Sequence, residues 1–358
     1  MAIKINPALT MRISPRIGLI GSTAAKAVWD DNYKAVYHMN DYPDTSHIWD
    51  STENKNHGTK TGANEPIEVA GLVGKAQDFD GSNDAIDCGD DSSLHDITQN
   101  LTVEYLVNPA DEDRPNFYYG ILGKQKGYNP DHSWSASAAP NNSTGYFFVR
   151  KDDNGGYGSP ATTTWSPLTR GSWNYQTHVV KYDDYIRTYL AGALDTETTP
   201  WTGGVNISTR HLWLGKTDYH FKGQLGEVRI SDIARPASYI AATNKSLRDT
   251  LITYSVDGTT ITITIAAADV ESDLTNFPVY LNLSSSAGKG STDLTSIFSY
   301  PWQMLSLKDA NGTNCYMEVV SWDSSGNVAE IHAKVPAISS SVPTVLTLAP
   351  SGGSLKIT

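Results

Sequence analysis

Cysteine is nearly absent: only Cys88 and Cys315 occur in 358 residues. They fall in opposite halves of the chain, so no disulfide framework stabilises it, and both thiols are expected as small buried side chains. Charge is sparse as well, at 18% of residues, with 39 acidic against 27 basic groups and a net charge of −12. The basic residues are scattered, which excludes a phosphate-tracking surface and with it nucleic acid as a partner. No apolar run approaches the ~20 residues a spanning helix needs, so membrane insertion is not expected. The opening MAIKINPALTMRISPRIGLIGSTAAK has no apolar core of about 7–15 residues before a small-residue cleavage site, so signal-peptide export is not expected either.

Nucleophile and metal motifs are missing too. No G-x-S-x-G elbow occurs, and neither cysteine sits in a motif that would activate a thiolate. Gly215-Lys216-Thr217 has the ending of a phosphate loop, but Arg210 stands where its first glycine is required and no helix is expected to follow. His38, His47 and His57 lack a Cys/His pair at zinc spacing and read as structural histidines.

Aromatic residues, in contrast, are plentiful: 10% of the chain, with 19 Tyr and 9 Trp. With so few charges this suits a β-rich protein. The length allows two domains, each with its own core. Leu101, Val103, Tyr105 and Val107 alternate with Thr102, Glu104 and Leu106, and Ile261, Ile263 and Ile265 alternate with Thr, so both stretches read as half-buried strands. Arg235 to Arg248 is the one good helix candidate, with Pro236 in its first turn. Residues 1–26 contain Pro7 and Pro15, alternate only weakly, and read as an extended arm.

Several segments carry a resemblance. Phe79-Asp80-Gly81-Ser82-Asn83-Asp84 with Leu101-Thr102-Val103-Glu104-Tyr105, His178 to Asp183 with Tyr189-Leu190-Ala191-Gly192, Leu212-Trp213-Leu214-Gly215, and Gly223 to Ala234 stand in the order of landmarks of the laminin-G-like branch of the concanavalin A-like lectin/glucanase superfamily. Ala191 replaces the usual turn Asp, and Gly226 the Asp that precedes EVRI. The resemblance covers about residues 27–231 and implies an all-β fold, a concanavalin A-like jelly-roll sandwich. Ser272 to Val279, Met317 to Asp323 and Ala333 to Pro336 resemble a bacterial domain of unknown function that often accompanies laminin-G-like domains. It implies a second, smaller β-sandwich. The expected organisation is an arm at 1–26, a sandwich at 27–234, a helical connector at 235–250 and a C-terminal β domain at 251–358.

A catalytic member of the superfamily would need two carboxylates on one strand face. The family-type E-x-D-x-x-E strand is absent, and Asp111-Glu112-Asp113, between Pro109 and Pro115, reads as a loop, so no enzyme is expected. The resemblance implies a structural calcium ion, for which Asp50 and Asn54 stand in position, although Gly226 removes one ligand. Binding a sugar needs an aromatic face with polar neighbours. The mixture occurs between Tyr118 and Trp173, giving Tyr128, His132, Trp134, Asn141, Asn142, Tyr157 and Trp165 as candidate ligand-binding residues. Trp29, Trp49 and Trp322 fall in family-like motifs and are expected in the core.

The expected function is therefore non-catalytic glycan binding or adhesion, with cell-surface glycans as partners. Since such domains meet ligands outside the cell and no export signal is read, display on a phage virion is expected, as a decoration, fibre or tail-associated protein docked to virion or capsid proteins by its N-terminal arm. The alternatives are a decoration or cement protein that binds no sugar, and an extracellular or cell-surface polysaccharide-active enzyme or its binding module.

Overall fold

The computed structural model describes residues 16–61, 65–112, 118–125, 132–139, 143–151 and 161–351. It is all-β and divides into two compact units, one of residues 29–248 and one that joins residues 1–28 to 249–358.

The described chain opens with β1 (Ile17–Leu19) and α1 (Thr23–Lys26), a single helical turn capped by Ser22. The larger unit follows. Its strands are β2 (Tyr33–Asp41), β3 (His47–Asp50), β4 (Gly58–Thr61), β5 (Ile67–Ala70), β6 (Lys75–Asp80) and β7 (Ala85–Asp87). After α2 (Ser92–His95) come β8 (Leu101–Pro109), β9 (Tyr119–Gly123), β10 (Trp134–Ala138), β11 (Thr144–Arg150) and β12 (Ala161–Pro167). The unit closes with β13 (Asn174–Lys181), β14 (Tyr185–Leu190), β15 (Ala193–Thr198), β16 (Trp213–Leu214), β17 (Lys222–Ser231) and α3 (Ala237–Leu247). The smaller unit is completed by β18 (Ile252–Asp257), β19 (Thr260–Ile265), β20 (Leu274–Leu283), β21 (Leu305–Asp309), β22 (Tyr316–Asp323), β23 (Val328–Ile338) and β24 (Thr344–Pro350).

In the larger unit the strands form one curled jelly-roll sheet in the order β12-β11-β10-β9-β16-β7-β4-β3-β2-β17-β8-β13-β14-β15, with β6 also paired to β17 and β5 paired to β6. The curl brings its ends together: Thr164 of β12 and Thr188 of β14 hydrogen-bond at 2.6 Å. Period-two alternation decides what fills the space between. Val103, Tyr105 and Val107 of β8, Trp134, Ala136 and Ala138 of β10, Phe147 and Val149 of β11 and Val228 and Ile230 of β17 share one buried cluster. Burying side chains of this size contributes about 1.5–3 kcal/mol each, ample for a stable core without disulfides. Cys88 lies in that cluster and both cysteines are free and buried, as expected.

The hairpin β14–β15 turns at Ala191 and Gly192, both with positive φ (49° and 83°). A two-residue turn of this kind matches the strand twist, but it holds alanine in the left-handed region. Close to that turn, Gly192 faces Ala241 and Asn244 of α3, so the helix expected as a connector is seated on the jelly roll.

The smaller unit has two four-stranded sheets, β1-β22-β23-β20 and β18-β19-β24-β21. In β19 the residues Ile261, Ile263 and Ile265 are buried between half-buried threonines, the expected alternation. Strand β1 lies parallel to β22, pairing Ile17 with Met317 and Leu19 with Val319. The guanidinium of Arg16 caps the arrangement by donating to the Asn314 carbonyl and lying over the Tyr316 ring. The arm expected over residues 1–26 is thus, from Arg16 on, a strand and a helical turn of the C-terminal unit. Residues 1–15 lie outside the described residues.

Candidate functional site

Strands β9 to β12 and β16 turn one face to the core and the other outward. On the outward face Tyr146 of β11 pairs with Trp165 of β12 and with Ser137 of β10, and Phe148 pairs with Ser135. Trp165 and Tyr118 are each 44% exposed. Their rings pack with Tyr146: Tyr118 lies 5.0 Å from Tyr146 in a stacked arrangement, and Trp165 lies 4.9 Å from Tyr146 and 5.9 Å from Tyr118, edge to face. Tyr118 and Tyr146, with Trp165 packed behind them, border a cleft of about 270 Å³ whose polar lining is Gln125, His132, Ser135, Ser137, Thr217 and Asp218, with Phe148 and Tyr219 completing it.

One wall is the loop between β16 and β17. Gly215 N–H bonds the Ile121 carbonyl, Phe221 N–H bonds the Gly215 carbonyl, and Gly120 N–H bonds the Tyr219 carbonyl. Gly120 makes this possible, because a Cβ there would collide with the backbone nitrogen and side chain of Thr217. The expectation of a strand end at Gly215-Lys216-Thr217, not a phosphate loop, holds: the segment is a tight return lying on β9.

The candidate ligand residues separate cleanly. Trp165 is on the open face and His132 lines the cleft, itself buried and edge-on to Phe148 at 5.9 Å. Trp134 is a correction: it is 1% exposed and belongs to the core, because its strand position has the parity of Ala136 and Ala138, not of Ser135 and Ser137. Tyr128, Asn141, Asn142 and Tyr157 lie outside the described residues. Tyr118, Tyr146, Phe148 and Tyr219 were missed. The alternation of TGYFFV, with Tyr146 and Phe148 flanking Phe147, was the available signal, since only one of the two faces can be core.

The calcium expected at Asp50 and Asn54 does not fit these residues. Asp50 is fully buried, and its two carboxylate oxygens already accept from Val36 N–H, Thr52 N–H, the Thr52 hydroxyl and Asn56 N–H at 2.8–3.0 Å. Burial raises its pKa despite these donors. The Asn54 amide donates to the carbonyls of Tyr33 and Lys34, presenting N–H groups where a cation needs oxygen. At the third expected position, a Cβ on Gly226 would press on Leu106 and on the Trp173 ring at 3.2–3.3 Å, so the closing strand trades the family Asp for packing against an indole. Asp50 instead ties the 50–56 loop to β2.

The three histidines are indeed apart in role: His38 pairs with Glu227 at 2.7 Å, His47 with Asp44 at 2.6 Å, and His57 stacks on Trp49 and accepts from Asp50 N–H. Asp111 and Glu112 form rim ion pairs with Arg170 and Lys222, and Asp113 lies outside the described residues. Of the tryptophans expected in the core, Trp29 is buried, whereas Trp49 and Trp322 are half-buried.

Comparison with known proteins agrees with the architecture. Residues 80–241 match the family model of the concanavalin A-like lectin/glucanases superfamily. This segment is a concanavalin A-like lectin/glucanase domain. The chain is distantly similar to domain 4 of AbnA, a GH43 extracellular arabinanase from Geobacillus stearothermophilus solved with arabinotriose, at 21% identity and a TM-score of 0.42 over 58% of this chain and 96% of that one. It is similar also to the binding domain of Paraclostridial Mosquitocidal Protein 1 (12% identity, TM-score 0.49, 84% of this chain and 67% of that one). The binding domain of botulinum neurotoxin serotype G is a third (10%, 0.48, 84% and 64%). No curated protein matches the sequence.

Proposed function

We propose that the lectin-like domain is a non-catalytic carbohydrate-binding module whose ligand lies on the platform of Tyr118, Tyr146 and Trp165. The observation that carries this reading is the exposure of large rings beside a cleft with a polar floor. Leaving Trp165 and Tyr118 in water sacrifices burial that a folded chain normally exploits, and such exposure marks binding surfaces. A pyranose offers the matching chemistry, an apolar C–H face for the rings and hydroxyls for Gln125, Ser135, Ser137 and Asp218. The non-catalytic part rests on the carboxylates: Asp218 is the one carboxylate among the described residues lining this cleft, and a glycosidase of the usual kind needs two.

The test is glycan-array screening followed by titration calorimetry on the best ligand. Trp165→Ala is expected to weaken binding at least about tenfold, equivalent to ~1.4 kcal/mol, with the fold retained because Trp165 sits on the outward side of a terminal strand. Unchanged affinity in this variant, or turnover of the bound polysaccharide, would overturn the reading. The virion setting expected from the sequence is a separate proposal, decided by whether mass spectrometry finds the chain in purified particles.

A further inference from the structure

The cleft does not stop at the aromatic platform. Beyond Gln125, Thr217 and Asp218 it opens into a second recess of about 560 Å³, bordered by Arg210, His211, Trp213, Lys216 and His220. The registers connect the two parts. Phe148 pairs with Ser135, Ser135 with Gly123, Gly123 with Trp213, and Trp213 with Asp87, so these residues stand in one row across β11, β10, β9, β16 and β7. Two aromatic side chains therefore border a stretch of floor made of a serine and a glycine. At ~4.8 Å between strands the row from β11 to β16 spans ~14 Å, room for a short oligosaccharide.

The charge of the two ends differs. The chain as a whole carries 39 acidic against 27 basic residues, yet this recess gathers Arg210, Lys216 and two imidazoles around the single carboxylate Asp218. Asp218 is engaged by the Gln125 amide at 3.4 Å. His211 is held by Asp87 at 2.8 Å. The Lys216 ammonium lies 4.8 Å from the centre of the Trp213 ring, and among the described residues it has no carboxylate partner. An ammonium held against an indole, half-buried and not neutralised by an acid, is arranged for an anion brought by the ligand.

We propose that the ligand is an acidic oligosaccharide, one whose carboxylate-bearing sugar sits beside Trp213 with its carboxylate on Lys216 and Arg210, while a ring further along the oligosaccharide reaches the platform of Tyr118, Tyr146 and Trp165. This rests on the reading of the platform as a saccharide site and adds the class of saccharide. Sulfated sugars share the negative charge and form a second arm of the test.

The experiment titrates the full chain with oligouronates and sialylated oligosaccharides, each paired with its carboxyl-reduced form, and with sulfated oligosaccharides of matched length. The acidic member of a pair is expected to bind about tenfold tighter, with the gap narrowing as NaCl is raised from roughly 0.05 to 0.5 M. Lys216→Gln and Arg210→Gln are each expected to narrow the gap between the two members, and together to close it, whereas Trp165→Ala weakens both. Equal binding within the pairs, or an acid preference that survives both Lys216→Gln and Arg210→Gln, would overturn the acidic-sugar assignment and leave the platform reading standing. A preference for sulfated over carboxylated members would replace carboxylate by sulfate. Binding of none of the panel, together with a silent glycan array, would remove both readings.

Discussion

Acidification to pH 5 is expected to destabilise the lectin-like domain through one side chain. His178 of β13 is 1% exposed; Nε2 meets the Tyr105 hydroxyl at 2.9 Å, Nδ1 meets the Thr188 hydroxyl at 2.9 Å, and the ring stacks on Phe147 at 4.3 Å. No acid is among these partners, so burial penalises the imidazolium and lowers the pKa from 6.5 to about 3. The unfolded chain then binds a proton that the folded one refuses. The stabilising contribution is complete above pH 6.5 and is lost as pH falls from 6.5 toward 3, at about 1.4 kcal/mol per pH unit. Between pH 7 and pH 5 the loss amounts to about 2 kcal/mol. Buried carboxylates whose pKa is raised by desolvation, Glu104 and Asp50, act with the opposite sign, so the raw pH curve is a sum and the histidine must be isolated by substitution. His178→Gln keeps a donor and an acceptor but takes no proton. Urea unfolding of parent and variant at both pH values gives two stability differences, and any fixed packing cost of the substitution cancels between them. The parent should lose about 2 kcal/mol more than the variant. An equal loss in the two proteins would refute the argument.

Two further outcomes follow from the turns. Ala191→Gly, which relieves a side chain held at φ 49° in the β14–β15 hairpin, should stabilise the chain by about 0.5–1 kcal/mol, read as a raised unfolding midpoint. Asp50→Ala leaves Val36, Thr52 and Asn56 N–H groups without an acceptor and should cost at least about 2 kcal/mol, while EDTA leaves the melting temperature of the parent unchanged. A drop in melting temperature with EDTA, reversed by calcium, would refute the account of Asp50 as a loop tie.

How much of this was legible in the chain depends on the range of the interactions. Strands declare themselves locally: the alternation in Leu101 to Val107 and Ile261 to Ile265, and the Pro236 start of α3, became β8, β19 and a helix with little change. The departures noted at Ala191 and Gly226 were readable as exceptions, but their reasons, a left-handed turn residue and an indole lying against β17, needed the fold. Parity is the limit of what alternation tells. It separates Trp134 from Ser135 without saying which of them is core, and only the closed sheet places Trp134 on the buried face with Ala136 and Ala138.

The chain by itself therefore determined the fold class, the lectin-like landmarks, the absence of disulfide stabilisation and the region in which rings and polar groups concentrate, because each is carried by composition or by neighbours a few residues apart. Tertiary structure decided the rest. It joined β1 to β22 across some three hundred residues, set Tyr118, Tyr146 and Trp165 from three segments against one another, and brought Trp213, which carries Lys216 over its ring, into line with Phe148 through three strand pairings. Such sites are made by register between distant strands, and register is fixed by which faces bury together in the closed sheet, a property no single segment holds.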